Sequence, residues 1–362
     1  MSTHAGLAQL EIVNLRNITN ASISSLGSMN IICGPNGSGK TSLLEAISLL
    51  SRGQSFRTSS INTLVQYQAQ SMRVVGKLRL SATQNIPLGL ERAGGKTLIK
   101  LDGEKLQKTS ELARIYPVQV ISPESNAIVE SGPKFRRQIM DWGVFHVKHT
   151  YIEIWKNYLR ALKQRNALLH QHAHSKLLQP WTQLLVETGI ALHEARLAYV
   201  VQLAEDFNRI CEKIIEFGQI QLEYRPGWNK ALTYAQALDA SFKEDQAYGH
   251  TRVGPHRSDL RITVNSRPVD QVASRGQKKL IIYALKLAQI ATITSVADKP
   301  CSLLVDDIAA ELDWDNRSRL LEAIAAMPYQ VFITTTDVKL LPEFSSDSRL
   351  FHVKQGNIQQ EL

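Results

Sequence analysis

The residues with the clearest chemical purpose are Gly34-Pro35-Asn36-Gly37-Ser38-Gly39-Lys40-Thr41, which fill every fixed position of the pattern GxxxxGK[ST]. A run of this kind cradles phosphate: its glycines let backbone N–H groups turn inward, and a helix N-terminus adds favourable charge. The flanks agree, because Asn30-Ile31-Ile32 reads as a strand entering the loop and Thr41 to Leu50 as a helix leaving it. In that frame Lys40 reaches the β- and γ-phosphates, the Thr41 hydroxyl takes Mg²⁺, and the nucleotide-contacting run ends at Ser42. Such a loop needs an acid at the end of another buried strand. Ser302-Leu303-Leu304-Val305 is that strand, delivering Asp306 to the ion and Asp307 to the attacking water, which it would orient or deprotonate. The expected ligands are a nucleoside triphosphate and Mg²⁺, and the expected catalytic residues are Lys40, Asp306 and Asp307.

These residues need a scaffold, and the chain is long enough to supply one. Its 362 residues suggest about two domains, and 43% hydrophobic with 21% charged residues is ordinary globular usage. Lys plus Arg total 42 against 33 Asp plus Glu, giving a formal charge of +9, which favours a polyanionic partner. Cys33, Cys211 and Cys301 form no CxxC pair, so neither a disulfide framework nor a cysteine-rich zinc site is indicated. The first residues lack a signal-peptide pattern, and no run reaches the ~18 uninterrupted apolar residues of a membrane span. A cytoplasmic protein without a membrane partner is expected.

Hydrophobic periodicity then locates the elements. Short strands are expected at 10–13, 21–23 and 29–32, followed by a helix with Leu43, Leu44, Ile47 and Leu50 on one stripe. Alternation returns at 72–80 and 97–101, with Gly94-Gly95 and Asp102-Gly103 marking hairpins. Residues 135–217 carry a long helical pattern, with a loop at 175–179 and Pro180 opening a new helix. From Gln219 onward strands return with one long helix at 277–294, then buried strands at 302–305 and 330–334. The fold class is therefore α/β, one lobe made from both ends of the chain, 1–120 plus 296–362, with a mainly helical lobe, 121–295, inserted between.

Two further segments narrow the class. Ser274-Arg275-Gly276-Gln277, followed by Lys278-Lys279, opens a helix about thirty residues before Asp306 and resembles the signature loop of the ABC ATPase superfamily. Ala310-Glu311-Leu312-Asp313 resembles the D-loop of the same group. In such a loop Ser274, Gly276 and the helix start would contact the γ-phosphate held by a second subunit, with Gln277 in the same nucleotide-facing turn, so ATP joins a head-to-tail pair.

With these motifs in order, the chain resembles the RecF family of bacterial recombination proteins. The resemblance rests on GPNGSGKTSLLEAI (34–47), SFRT (55–58), SPESNAIVESGPKFRRQIMDWGVFH (122–146), TRVGPHRSDL (251–260), SRGQKK (274–279) and LLVDDIAAELD (303–313), spread over nearly the whole chain. It implies a two-lobed ABC-type head, like those of structural-maintenance-of-chromosomes and Rad50 proteins but lacking the long coiled coil. It further implies a slow, DNA-stimulated ATPase that dimerises on ATP and binds single-stranded and gapped or junction DNA. RecO and RecR are the implied partners in placing RecA on gaps, with roles in replication restart and SOS induction. The sequence also departs from the pattern. Asp307 stands where many ABC ATPases carry glutamate, which suggests slow hydrolysis. Thr334-Thr335-Thr336 follows the strand where transporters often have a histidine, so a γ-phosphate sensor there would be a hydroxyl. Ser258 interrupts a motif that is often GPHRDD. Gln119 is a candidate Q-loop glutamine, with a core or turn role equally open. Two rivals are an ATP-binding scaffold acting through protein partners and a transporter nucleotide-binding subunit. Against the transporter stand the +9 charge, SRGQ in place of LSGGQ, the threonines at the switch and the long helical insertion.

Other residues have two readings each. Lys134, Arg136, Arg137, Lys148, Lys156, Arg160, Lys163, Arg165, Arg52 and Arg57 either contact DNA phosphates or form solvated and ion-paired surface. Arg57 has a second possible role at the nucleotide, and Arg136 and Arg137 a second role pairing with acids across lobes. His170 and His174 would share a helix face as a zinc pair does, but no third ligand is evident, so a polar helix end is the expected reading. His256, inside the Gly254-Pro255-His256-Arg257 motif, is not expected to be catalytic, and Cys33 reads as a small core residue.

Overall fold

The computed structural model describes residues 6–81, 84–297, 299, 301–308, 312–341 and 347–361. It divides into two compact units, Met1–Ser125 with Tyr283–Leu362, and Asn126–Ile282.

The first unit begins with β1 (Gly6–Leu15), β2 (Ile18–Ile23), β3 (Met29–Cys33) and helix α1 (Lys40–Arg52). It continues through β4 (Ser71–Arg79), β5 (Asn85–Ala93), β6 (Lys96–Leu101), β7 (Glu104–Lys105), α2 (Thr109–Ile115) and β8 (Val118–Ile121). The second unit holds α3 (Ala127–Glu130), α4 (Pro133–Val147), α5 (Tyr151–His170), α6 (Ser175–Ile214), β9 (Ile220–Arg225) and α7 (Tyr234–Tyr248). Then come β10 (Asp259–Val264), β11 (Arg267–Pro268), α8 (Val269–Val272) and α9 (Arg275–Ala297). The chain closes in the first unit with β12 (Ser302–Val305), α10 (Trp314–Ala325), β13 (Gln330–Thr335), β14 (Ser348–Lys354) and β15 (Asn357–Gln360).

Two sheets build the first unit, and their burial patterns explain why they differ. One is antiparallel in the order β2-β1-β4-β5-β6-β7. Its strand β4 alternates, burying Met72, Val74, Gly76 and Leu78 and turning the residues between them outward. The other has the order β15-β14-β3-β13-β12-β8, in which every neighbour pairing from β14 to β8 is parallel. Its strands β3, β8, β12 and β13 are buried at every position, as a sheet covered on both faces requires. Helix α1 runs between the sheets, so Leu43, Leu44, Ala46, Ile47, Leu49 and Leu50 are all buried although they lie around its whole circumference. Gly76 lets it come close: a Cβ there would meet Leu50 Cδ1 at 2.6 Å. Gly53, at φ 63°, ends α1 with an N–H to the Leu49 carbonyl.

In the second unit, α5 and α6 form an antiparallel hairpin closed by Tyr158, Ala161, Arg165 and Leu169 on one side and Leu178, Leu185, Gly189 and Leu192 on the other. The sheet β11-β10-β9 packs beside α4 and α6. Ion pairs thread this interior: Arg165 with Asp245, both buried, at 2.8 Å, and buried Arg196 with half-buried Asp141 at 2.6 Å. Each charge is matched and hydrogen-bonded, which is what tolerable burial demands.

Several expectations need correction. Pro180 does not open a helix but sits inside α6, which starts at Ser175 behind a His174 cap. Proline removes one backbone hydrogen bond, and the apolar seam of a 40-residue helix outweighs that loss. Helices α7 and α10 had no counterpart in the expected elements. The lobe boundary also moves from 295 to 282, because the helix from Tyr283 onward belongs with the parallel sheet. There Leu285, Leu287, Ala288 and Ile290 are wholly buried, and Gln289 accepts a hydrogen bond from Gln119 of β8 at 2.8 Å. Helix α9 is long and apolar enough to cross a membrane, yet 67% of that apolar window is buried inside the protein.

Candidate functional site

The parallel sheet gathers its chemistry at the C-terminal ends of three adjacent strands. Strand β3 ends at Cys33 and passes into the glycine-rich loop, β12 ends at Val305 before Asp306, and β13 lies between them and ends at Thr335. This is where ligands of open α/β sheets collect.

In the loop, Gly37 has φ 76° and Gly39 φ 120°, a region that suits glycine. A Cβ on Gly37 would have nothing within 4 Å, so the loop presents open backbone there. Lys40 arches back, its ammonium donating to the carbonyls of Gly34 at 2.7 Å and Pro35 at 3.0 Å. Helix α1 has no side-chain cap at its start, leaving its first N–H groups free of one. The Ser38 hydroxyl is buried with no hydrogen-bond partner among the described residues. An orphan hydroxyl, an uncapped helix start and a lysine tethered at the loop rim together fit a polyphosphate.

The acidic side is equally defined. The Thr41 hydroxyl stands 3.0 Å from Asp306 Oδ1 and 3.2 Å from Oδ2. Burial raises the Asp306 carboxyl above its ordinary pKa, opposed by hydrogen bonds from Thr334 and Thr41 and by the charge of Arg57. Two hard oxygen donors this close match Mg²⁺. Asp307 is exposed and has φ 58°, in the left-handed region. Its N–H donates to the Thr334 hydroxyl at 2.8 Å.

Residues that carry no local motif brace this arrangement. The Asn17 amide donates to the Gly37 carbonyl at 3.2 Å and accepts from the Ser42 hydroxyl at 3.0 Å. From the other side, the Gly356 N–H in the β14–β15 turn donates to the Ser38 carbonyl at 2.8 Å. Arg16 holds Glu45 of α1 through a two-pronged contact at 3.0 and 3.1 Å. Sequence reasoning missed all of them; the Gln355-Gly356 pair, at φ 49° and 80°, is a turn signal that could have marked the reversal.

In the second unit, Ser274 and Gln277 cap α9 reciprocally. The Ser274 hydroxyl accepts from the Gln277 N–H at 3.3 Å, and the Gln277 side chain accepts from the Ser274 N–H at 2.9 Å. A Cβ on Gly276 would meet nothing within 4 Å, so this turn too offers open backbone.

Other candidates resolve differently. Gln119 is a core glutamine, 5% exposed, accepting from Lys286 at 3.1 Å; burial pushes that ammonium down to about 7. Arg136 pairs with Asp259 through two contacts at 2.8 and 3.1 Å, and Arg137 donates to the Ser258 carbonyl. Both partners lie in the same unit, so these arginines pair locally rather than across lobes. Arg165 is wholly buried and removed from any DNA surface. Lys134, Lys148, Lys156, Arg160 and Lys163 remain exposed. His170 ends α5, His172 is left-handed at φ 51° and His174 caps α6, so the histidines do not share a helix face. His256 is structural: Nδ1 meets the Tyr158 hydroxyl at 2.6 Å and Nε2 the Thr251 carbonyl at 3.0 Å. Ser258 takes its place in the Arg196 network, its hydroxyl 3.0 Å from that guanidinium. In the D-loop segment Ala310 and Glu311 lie outside the described residues, while Asp313 caps α10 through the Asn316 N–H.

Fold and site together define an ATPase head of the ABC type, the class of the structural-maintenance-of-chromosomes proteins. A solved Smc head domain from Pyrococcus furiosus superposes with a TM-score of 0.60 at 15% identity, covering 99% of this chain and 96% of the other. The family model described as RecF/RecN/SMC N terminal domain matches residues 6–359. DNA replication and repair protein RecF of Vibrio atlanticus is 38% identical over 356 residues, 98% of this chain and 99% of the relative. The Aliivibrio fischeri (ES114) RecF is 37% identical over the same shares. A solved structure of the recombination mediator RecF with ATP in the RecFOR pathway has a TM-score of 0.85 at 26% identity, covering 99% of this chain and 98% of that one. The chain belongs to the RecF family of DNA replication and repair proteins.

Proposed function

We propose that this protein is an ATP-dependent, DNA-binding recombination mediator whose nucleotide state governs pairing of two copies. The observation that carries the reading is the convergence of Lys40, Thr41 and Asp306 on one loop mouth, with an independent open turn at Ser274–Gln277. In this reading residues 34–42 hold the triphosphate. Lys40 leaves its two carbonyls for the β- and γ-phosphates, and the Ser38 hydroxyl gains the partner it lacks. Thr41 and Asp306 hold Mg²⁺, which neutralises charge on the triphosphate. Asp307 takes the proton of the attacking water, and its short reach makes turnover slow. Ser274, Gly276 and Gln277 meet the γ-phosphate held by a second copy, so hydrolysis reopens the pair and acts as a timer.

DNA binding is supported by the +9 charge and by α5, where Lys156, Arg160 and Lys163 recur at i, i+4 and i+7, all exposed. Contact of this kind reads phosphate rather than base edges. Gapped or junction DNA is the proposed substrate, RecO and RecR the proposed partners in loading RecA, with roles in replication restart and SOS induction and a cytoplasmic, nucleoid-associated location. Sedimentation velocity with a slowly hydrolysed ATP analogue tests the pairing. Wild-type protein should dimerise, Lys40→Met should stay monomeric, and Ser274→Arg should bind nucleotide yet stay monomeric. A Ser274→Arg protein that still dimerises sinks the assignment of the signature turn.

A further inference from the structure

Thr334 stands at the switch position, where a hydroxyl could sense the γ-phosphate, yet its hydroxyl joins the two acids. It is wholly buried at the end of β13, the strand between the one that carries the phosphate loop and the one that carries Asp306. Its Oγ1 donates to Asp306 Oδ1 at 2.9 Å and accepts the Asp307 N–H at 2.8 Å. A hydroxyl has a single proton, so with the carboxylate taking that proton and the amide filling a lone pair, its rotation is fixed. The same carboxylate oxygen faces the Thr41 hydroxyl at 3.0 Å, so Asp306 is aimed from two sides. At Asp307 the backbone is in the left-handed region, φ 58°, and the N–H bond to Thr334 helps hold it there.

We propose that Thr334 is a positioning residue for hydrolysis: it orients the Asp306 carboxylate toward the ion and fixes the backbone from which Asp307 reaches the water. The Thr334 hydroxyl thus serves the acids rather than sensing the γ-phosphate. The inference rests on the ATPase reading above. Groups in the shell behind metal ligands typically cost about 10–100-fold in metal affinity or activity when removed. Thr334→Val keeps the shape and deletes the hydroxyl, whereas Thr334→Ser keeps the hydroxyl and deletes the methyl.

The test combines steady-state hydrolysis with binding of a fluorescent ATP analogue at graded Mg²⁺ concentrations. Thr334→Val should lose about 10-fold or more in kcat, with KM within about threefold of wild type. Its Mg²⁺ requirement for tight analogue binding should rise about 10-fold, while binding in EDTA equals wild type and so reports an intact fold. Thr334→Ser should restore both quantities. Wild-type kcat and Mg²⁺ dependence in Thr334→Val overturns the inference and leaves the ATPase reading standing. Equal impairment of Val and Ser variants overturns it as well, since packing would then be the cause. Wild-type protein that neither binds nor hydrolyses ATP removes the ATPase reading, and this inference with it.

Discussion

Asp307 holds a backbone conformation that aspartate tolerates better than most side chains, and this fits its shorter reach in place of the glutamate common in ABC ATPases. If it serves the attacking water, Asp307→Asn should lower kcat by roughly 100-fold while leaving nucleotide-driven dimerisation intact. Phosphate release and sedimentation measured on the same preparation separate the two effects. Thr41→Ala should weaken analogue binding only when Mg²⁺ is present, because the hydroxyl faces Asp306 and not the loop carbonyls. Equal loss with and without Mg²⁺ would contradict that role. Residues of the site differ in how far sequence exposes them. Lys40, Thr41 and the glycines lie within one contiguous string, so spacing alone is enough. Asn17, Gly356 and the Thr334 hydrogen bonds arise where strands distant in sequence are brought side by side, and single-chain patterns carry no trace of that adjacency.

At the scale of elements, α/β alternation and seven of the fifteen described strands follow from hydrophobic periodicity, whereas helix ends depend on cap chemistry. Helix α7 begins with Thr233 and Gln236 in a reciprocal capping box, a T-x-x-Q signal that periodicity alone does not weigh. In the α5–α6 hairpin, Gly189 faces two aromatic rings, and a Cβ there would sit 3.3 Å from Tyr158 and closer to Tyr234. Glycine to alanine in a helix interior ordinarily stabilises, by roughly 0.5–1 kcal/mol. Here Gly189→Ala should instead destabilise by about 1–3 kcal/mol, as overpacking does, read from urea midpoints. A stabilised variant would contradict the described packing. His256 makes a second test. Burial first, with Arg257, Arg137 and Arg165 nearby and the Thr251 carbonyl opposing, holds its pKa down to about 4 from 6.5. The unfolded chain therefore binds more protons between those values, so the contribution to stability is full above about 6.5 and is lost as pH falls toward 4. His256→Gln should flatten the fall in urea midpoint across that window, and an unchanged slope would count against a neutral buried histidine.

For the whole molecule, charge and motif order point to a polyanionic partner class, while the fold decides which basic residues are exposed. Arg136, Arg137 and Arg165 look like the rest of the basic run in sequence, yet each is engaged within its own unit. Lys156, Arg160 and Lys163 stay exposed, which gives α5 a distinct prediction. Replacing all three by Ala should weaken DNA binding and make the slope of log K against log salt shallower, by ~0.9 for each duplex phosphate no longer neutralised. ATP hydrolysis without DNA should be unchanged. The central claim, that nucleotide held at Lys40 governs DNA binding, is tested most directly by anisotropy of a labelled gapped duplex. Titrations at two salt concentrations would compare no nucleotide, a slowly hydrolysed ATP analogue, and the analogue with Lys40→Met protein. Tight, salt-sensitive binding is predicted only with the analogue and intact Lys40; equal binding in all three conditions would contradict the claim.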